Sequence, residues 1–427
     1  MAKSLLSRRS VLLAGLETTY GVNPGLVADD ALLVNEPSWS PDISTLERNF
    51  DRDDLSQLAH QSGRKMAQIT FSTELKGSGR QNSGQAGDVP RLGRLLRACG
   101  FAETLRASPE VVSPWRVGLT GHTATPASFS VDSTGVATLD TMMSYLIEVT
   151  DDSSGAEKIK IVPDDTARES EQTGVSFDTG FAVPLGSSGG AVTPTHSGLT
   201  VGQKWLVWVL PTGVSYTPIS ETFESVSLEL YKDGKKHELT GSFGTFEISA
   251  ETDGFPSLSF TFTGVYHRPV DASIGEPLAP SSPMKPNYET TRPAAFELAR
   301  IRVDDVYAPV INSFSFDLGV TVTPRPDANA SNGLGGFRIT DRQASGGIDP
   351  EARLTADHDF WQRMEDARQM PLQIKNGTVR GNTTWILAPG AQYTGLSYSD
   401  RDGIMTHDAG LRFPRVEGND EVTLLFQ

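Results

Sequence analysis

Few residues of this 427-residue chain have types and spacing that could do chemistry. Gly186-Ser187-Ser188-Gly189-Gly190 has the G-x-S-x-G spacing that presents a serine nucleophile when a strand precedes it and a helix follows. Here Pro184 precedes it and Val192-Thr193-Pro194 follows, so it reads as a flexible loop. The seven histidines (His60, His122, His196, His237, His267, His358, His407) are scattered, with no pair at metal-binding spacing. The single cysteine, Cys99, excludes an internal disulfide framework and a cysteine-rich zinc site. It falls on the apolar side of a helical pattern (Leu92, Leu95, Leu96, Cys99) and reads as a buried structural thiol. Arg91, Arg94 and Arg97 on the other side could clamp a phosphate. The simpler reading is the solvated face of an amphipathic helix against an acidic neighbour. Asp51-Arg52-Asp53-Asp54 and Asp402-Gly403 are acidic turns without calcium-loop spacing. No glycine-rich turn joins a strand to a helix as a nucleotide cradle. An enzyme is therefore poorly supported, and no cofactor or metal site is expected.

The elements that would carry function are mostly strands. Gly (41) and Pro (26) are frequent and the hydrophobic share is 37%, which suits thin cores joined by many turns. The net charge of −16 argues against a protein that grips duplex DNA through a basic stripe. No apolar run approaches the ~20 residues of a membrane span. Ser7-Arg8-Arg9-Ser10-Val11-Leu12-Leu13 has the look of a twin-arginine export signal. Its apolar stretch ends after Leu16 at Glu17, shorter than the roughly 7–15 residues such signals use, so a first strand or arm is expected. One cysteine suits a reducing cytoplasm.

Residues 66–76 alternate as a half-buried strand, with Ala67, Ile69, Phe71, Thr73 and Leu75 on one side. Asp88-Val89-Pro90 is placed to cap the helix that follows, with Gly100 at its end. Asp233-Gly234 predicts a hairpin between 226–232 and 236–240. Six prolines between 268 and 295 mark a linker. Val310–Pro324 reads as one alternating strand, and Asp357-His358-Asp359 caps a second helix. Further strands are expected at 384–388, 393–398, 404–411 and 422–426. Each half thus runs strand, long loop, strand, helix, hairpin strands. The expected organisation is a first domain of residues 1–106 and 221–275, split by a small β module at 107–220, then a Pro-rich linker at 276–295 and a second domain at 296–427. The repeat rests on element order alone.

Several segments are similar to the major tail tube proteins of long-tailed, non-contractile bacteriophages. They are Glu17-Thr18-Thr19-Tyr20-Gly21, Ile69 to Gly79, Arg94 to Glu103, Tyr231 to Thr245 with Phe260 to Gly264, and Gly418 to Phe426. They cover 1–105 and 222–427 patchily; 107–220 resembles nothing named. The resemblance implies two tandem β-sandwich or barrel domains, each with a flanking helix, in a mainly β structural virion protein. It implies rings that stack into a hollow tube around passing DNA, with sheets of neighbouring subunits joined into one inner barrel. Three chains carrying two domains each would give pseudo-sixfold rings, favoured over hexamers. Partners would be further copies and the tail terminator, tape measure and baseplate proteins, with no sequence-specific DNA contact and no membrane. Assembly would occur in the host bacterial cytoplasm, and the inserted module would face outward. Terminator, baseplate hub and carbohydrate-binding β protein are the alternatives.

The segment 45–65 carries mixed charge without core periodicity and reads as a long exposed loop. In stacked rings it is placed to touch the next ring, so Arg48, Asp51, Arg52, Asp53, Asp54, Arg64 and Lys65 are the expected inter-ring contacts.

Overall fold

A computed structural model describes residues 6, 8–80, 88–116, 128–131, 141–165, 170–177, 183–184, 191–195, 199–272, 287–297, 299–303, 307–330 and 333–427. The Gly186–Gly190 loop, His122 and His196 lie outside them. The fold is mainly β. The first half holds β1 (Ser10–Leu16), β2 (Ala31–Leu32), β3 (Asn35–Leu46), β4 (Gln61–Glu74), α1 (Gly93–Ala98) and β5 (Phe101–Arg106). An excursion follows: β6 (Glu110–Arg116), β7 (Ser128–Val131), β8 (Met143–Asp151), β9 (Lys158–Pro163), β10 (Gln172–Ser176), β11 (Val183–Pro184), β12 (Ala191–Thr195) and β13 (Lys204–Leu210). The half closes with β14 (Gly213–Pro218), β15 (Val226–Lys232), β16 (Lys235–Glu251), β17 (Ser257–Tyr266) and β18 (Val270–Asp271). The second half holds β19 (Arg302–Val303), β20 (Ser313–Asp317), β21 (Val320–Pro326), β22 (Leu334–Arg342), β23 (Ser345–Ile348), α2 (Phe360–Glu365), β24 (Met370–Asn376), β25 (Thr384–Arg401), β26 (Ile404–Arg412) and β27 (Thr423–Phe426).

Antiparallel pairing joins four strands of each half into one eight-stranded layer, in the order β3-β4-β17-β16-β20-β23-β26-β25. The layer is open, not a closed barrel. The long strands β16 and β25 bend at bulges, and their N-terminal parts enter a second layer. There β16 lies between β15 and β18, and β25 lies between β24 and β27. β1 pairs with β15 as β19 pairs with β24. These pairings of the first half thus recur in the second, whereas β1–β2 and β5–β14 have no counterpart among the described residues. One core fills the space between the layers. Ile69, Phe71, Phe246, Phe260, Phe262, Phe314 and Phe316 point down from the first layer onto Leu95, Leu96, Leu228, Leu372 and Leu424.

Local signals explain most elements. The turn Asp233-Gly234 has φ of 35° and 105°, values that glycine adopts freely and Asp tolerates, and it closes the expected two-residue hairpin. The Asp359 side chain accepts from the Gln362 amide at 2.9 Å and caps α2. The expected first strand is β1, buried from residue 11 to 15, with Arg9 paired to Asp233 at 2.8 Å.

Other expectations change. Strand pairing continues to Thr45↔Ser62 and Leu46↔Gln61, so the loop shrinks to residues 47–60, and Arg64 and Lys65 lie on β4. Helix α1 starts at Gly93 without a side-chain cap, because the chain first turns through the Pro90 carbonyl, which accepts from the Gly93 amide at 2.9 Å. The 310–324 strand breaks at Gly319 (φ 62°), whose amide is held by the Asp317 carboxylate at 2.8 Å. The strands expected at 384–388 and 393–398 are one, β25, continued through a bulge. Of the Pro-rich segment, 273–286 lie outside the described residues. Residues 287–289 are held to the body: the Asn287 amide donates to the Ala28 carbonyl (3.0 Å), and Glu289 accepts from the Arg91 amide (3.0 Å).

The excursion forms its own five-stranded sheet, β10-β9-β8-β13-β6, and a small sheet of β7, β11 and β12. These sheets end at Leu210. β14 pairs with β5 and β27 in the main body, so the edge expected at 220 moves back, and β5 and β14 form the base of the insertion. One face of the module sheet buries Leu146, Leu206, Trp208 and Leu210 against Trp385, Leu387 and Leu425. The Trp208 indole donates to Gln373 at 3.1 Å, and Arg300 pairs with Asp165. The module is therefore docked on the β24-β25-β27 layer by an apolar contact flanked by hydrogen bonds and an ion pair.

Candidate functional site

The eight-stranded layer has one covered face and one open face. Strand alternation sends phenylalanines down and short polar residues up. Cross-strand register puts Ser38 and Ser40, Gln68 and Thr70, Thr261 and Thr263, Glu247 and Ser249, Ser315 and Asp317, Asp408 and Gly410, and Ser397 and Ser399 on the open side. Its charged members among the described residues are six carboxylates (Asp42, Glu74, Glu247, Glu251, Asp317, Asp408) against Arg64, Arg401 and Arg412, and Arg64 faces Asp42. Arg401 is engaged by Asp349 at 3.1 Å. The surface is hydroxyl-rich and net negative. It offers a polyanion no row of cations to bind.

Among the described residues, two strand edges of this layer have no partner strand: there β3 pairs only with β4, and β25 beyond Ala391 pairs only with β26. Free edges of this length are sites of pairing with another chain. Pro37 and Pro41 on β3 remove amide donors and restrain indiscriminate pairing.

The expected contact residues are only partly brought together. In the loop, Arg52 pairs with Asp54 at 2.9 Å and donates to the Ser56 carbonyl at 2.6 Å. Arg48 lies over the Phe50 ring at 5.8 Å. Asp51 and Asp53 are exposed. Arg64 instead faces Asp42 at 3.9 Å, and Lys65 sits opposite Ile43 on β4. Charge counting missed the apolar residues: Leu46, Phe50 and Leu55 are 56%, 68% and 107% exposed. Three large apolar residues in a polar run, with no periodicity to bury them, were the available signal.

Arg91, Arg94 and Arg97, at and just before α1, are committed within the chain. Arg94 meets Asp30 at 2.6 Å. Arg97 holds Glu224 through two bonds of 2.5 and 2.6 Å, a pairing that raises its pKa further. Arg91 donates to the Ala31 carbonyl at 3.1 Å. They form no phosphate clamp. Cys99 is fully buried, and burial pushes its thiol pKa well up, away from the reactive thiolate. Among the described residues no group of three or more His, Cys, Asp or Glu could hold a metal ion, and no helix is long and apolar enough to cross a membrane.

The model of one protein family, described as phage tail tube protein, matches residues 7–414. The chain belongs to that family. Comparison with curated proteins finds no match. The tail tube assignment identifies a structural component of the phage tail that assembles with itself and with other tail proteins.

Proposed function

We propose that three copies of this tube protein close into a ring, each contributing two four-stranded repeats, and that the rings stack into a non-contractile tail tube that conducts phage DNA. The observation that carries this is the eight-stranded layer with its internal repeat, polar open face and two free edges. At about 4.8 Å per strand, three layers closed edge to edge span roughly 37 Å between backbones, more if tilted. Two copies would span about 24 Å, too narrow for a duplex once side chains are subtracted. The hydroxyl-rich, acidic face lines the channel. Repulsion and the lack of basic anchors keep the phosphate backbone from sticking. The two repeats act as the tandem tube domains, and the module between Glu110 and Leu210 faces outward. Terminator, tape measure and baseplate proteins meet the ends and interior of the tube.

The loop of residues 47–60 reaches the adjacent ring, using Arg48, Asp51, Arg52, Asp53 and Asp54. Arg64 and Lys65 support it from β4. Exposed ion pairs are worth roughly 0–1 kcal/mol each, so stacking depends on their repetition around the ring and weakens with salt. Electron microscopy and mass measurement of purified assemblies test the whole reading: hollow tubes built of three-chain rings are expected. Monodisperse monomers, or six-chain rings, contradict it. Replacing Arg48, Arg52, Asp53 and Asp54 with Ser is expected to leave folded rings that make few long tubes. Tubes of parental length and salt tolerance would remove this loop from the stacking contact.

A further inference from the structure

The seam between the two halves of one chain carries a register that can be transferred to the free edges. The bulged pairs Val226↔Ser242 and Leu228↔Leu239 recur as Met370↔Ala391 and Leu372↔Ala388. Past the bulges, Glu247↔Ser259 and Ser249↔Ser257 recur as Ser397↔Asp408 and Ser399↔Thr406. Ser397 therefore corresponds to Glu247, and Ser399 to Ser249. On the other flank, the row Thr261–Thr70–Ser38 recurs as Gly410–Gly347–Ser315, and Thr263–Gln68–Ser40 recurs as Arg412–Ser345–Asp317. Ser38 thus corresponds to Ser315, and Ser40 to Asp317. Within the chain, Ser249 faces Ser315 and Glu247 faces Asp317.

We infer that residues 392–401 of β25 pair with β3 of a second copy in one register, Ser397 opposite Ser40 and Ser399 opposite Ser38, which sets Tyr398 against Trp39. This rests on the ring reading above and adds its molecular register. An independent observation supports it. Ile248 and Phe316, the counterparts of Tyr398 and Trp39, are each 1% exposed, whereas Tyr398 on its free edge is 59% exposed. Tyr398 already leans on His407 (5.0 Å between rings), and Trp39 on His237 (4.6 Å). A second chain in this register covers both. The Leu318 amide donates to the Phe246 carbonyl at 3.1 Å, so residues 314, 316 and 318 of that segment turn their backbone toward β16. The corresponding residues on β3 are Pro37, Trp39 and Pro41. Trp39 is then the central amide donor, flanked by prolines that accept but cannot donate.

The same template covers the seam. Beyond Gly319, β21 and β22 fold back over the bulged part of β16. The Phe337 amide donates to the Tyr20 hydroxyl at 2.6 Å, and that hydroxyl bonds the Gly241 carbonyl at 3.1 Å. The matching part of the first half is the β3–β4 extension beyond Met66, where Ile43 and Leu46 stand exposed. It lies over the second copy's bulge near Pro389 and Gly390.

Cysteine pairs in the full-length chain test the register, because the native Cys99 is buried. Ser40 and Ser397 occupy a non-hydrogen-bonded position, where opposed Cα atoms lie about 4.5 Å apart and suit a disulfide. Oxidised tubes of S40C/S397C and of S38C/S399C are expected to run as covalent trimers. S38C/S397C, two residues out of register, should cross-link roughly tenfold less, its Cα atoms lying at about 7–8 Å. Hydrogen exchange on the parent protein gives a second measurement: the amides of Trp39 and Tyr398 should slow at least about tenfold in tubes relative to monomers, as newly paired strand amides do. Rings or tubes that form with no in-register cross-link, or with the offset pair dominant, or with unchanged exchange, overturn the register and leave the ring reading standing. Parent protein that forms neither rings nor tubes overturns both.

Discussion

Phe246→Ala is expected to lower the unfolding free energy by about 3–5 kcal/mol, the range for truncating a buried aromatic ring. Phe246 is fully buried in the middle of β16. Its ring contacts Phe260 in the first half (centroids 5.8 Å apart), Phe101 at the base of the insertion (5.7 Å) and Phe316 in the second half (6.1 Å). The cavity left by alanine opens where three parts of the chain meet, so neighbours cannot close it without moving the layer. Because domains of ordinary stability have about 5–15 kcal/mol in total, the loss should appear as a large fall in the denaturation midpoint and as poor assembly. Phe255→Ala is the control: Phe255 is 61% exposed, and surface changes of that kind stay within about 0.5 kcal/mol. Equal midpoints for the two variants would show that the halves do not share one core.

Removing the inserted module is expected to give opposite results at two cut sites. Excising 107–220 takes β14 with it. Val214 and Tyr216 are fully buried, Tyr216 donates to Glu103 at 2.7 Å and packs edge-on against Phe426, and β27 loses one of its two strand partners. Loss of a buried tyrosine alone costs on the order of 3–5 kcal/mol, so this variant should be insoluble. Joining Arg106 directly to Gly213 through Asn-Gly keeps β5 and β14, because those two residues are already paired across the strands and need only a tight hairpin turn. Trp385, Leu387 and Leu425 then become exposed. With polar replacements at Trp385 and Leu425 to suppress the new apolar patch, soluble protein that assembles is expected. Expression, sedimentation and microscopy of the two variants decide the matter. Soluble, assembling protein from the longer excision would show that β14 is dispensable.

What the sequence settled by itself was local. Alternation in 66–76 identified which face of that strand is apolar, because period two is a property of the strand alone. The Asp233-Gly234 turn and the Asp359 cap were readable because glycine-compatible φ values and side-chain capping act within a few residues. Cys99 was readable as buried from its helical spacing, and the order of elements in the two halves was visible as a recurrence. Tertiary structure alone decided who pairs with whom. β4 finds β17 nearly two hundred residues away, and β16 finds β20 across the half boundary. Alternation reports a face but not a neighbour, so neither pairing could be read from the pattern. The same limit put β14 in the wrong unit: Val214 and Tyr216 alternate as well in a module strand as in a core strand. It also hid the open acidic face, whose serines, threonines and carboxylates come from eight separated strands and become one surface only through cross-strand register. The free edges of β3 and β25 had no sequence signal beyond Pro37 and Pro41, because an edge is defined by a partner the chain does not supply.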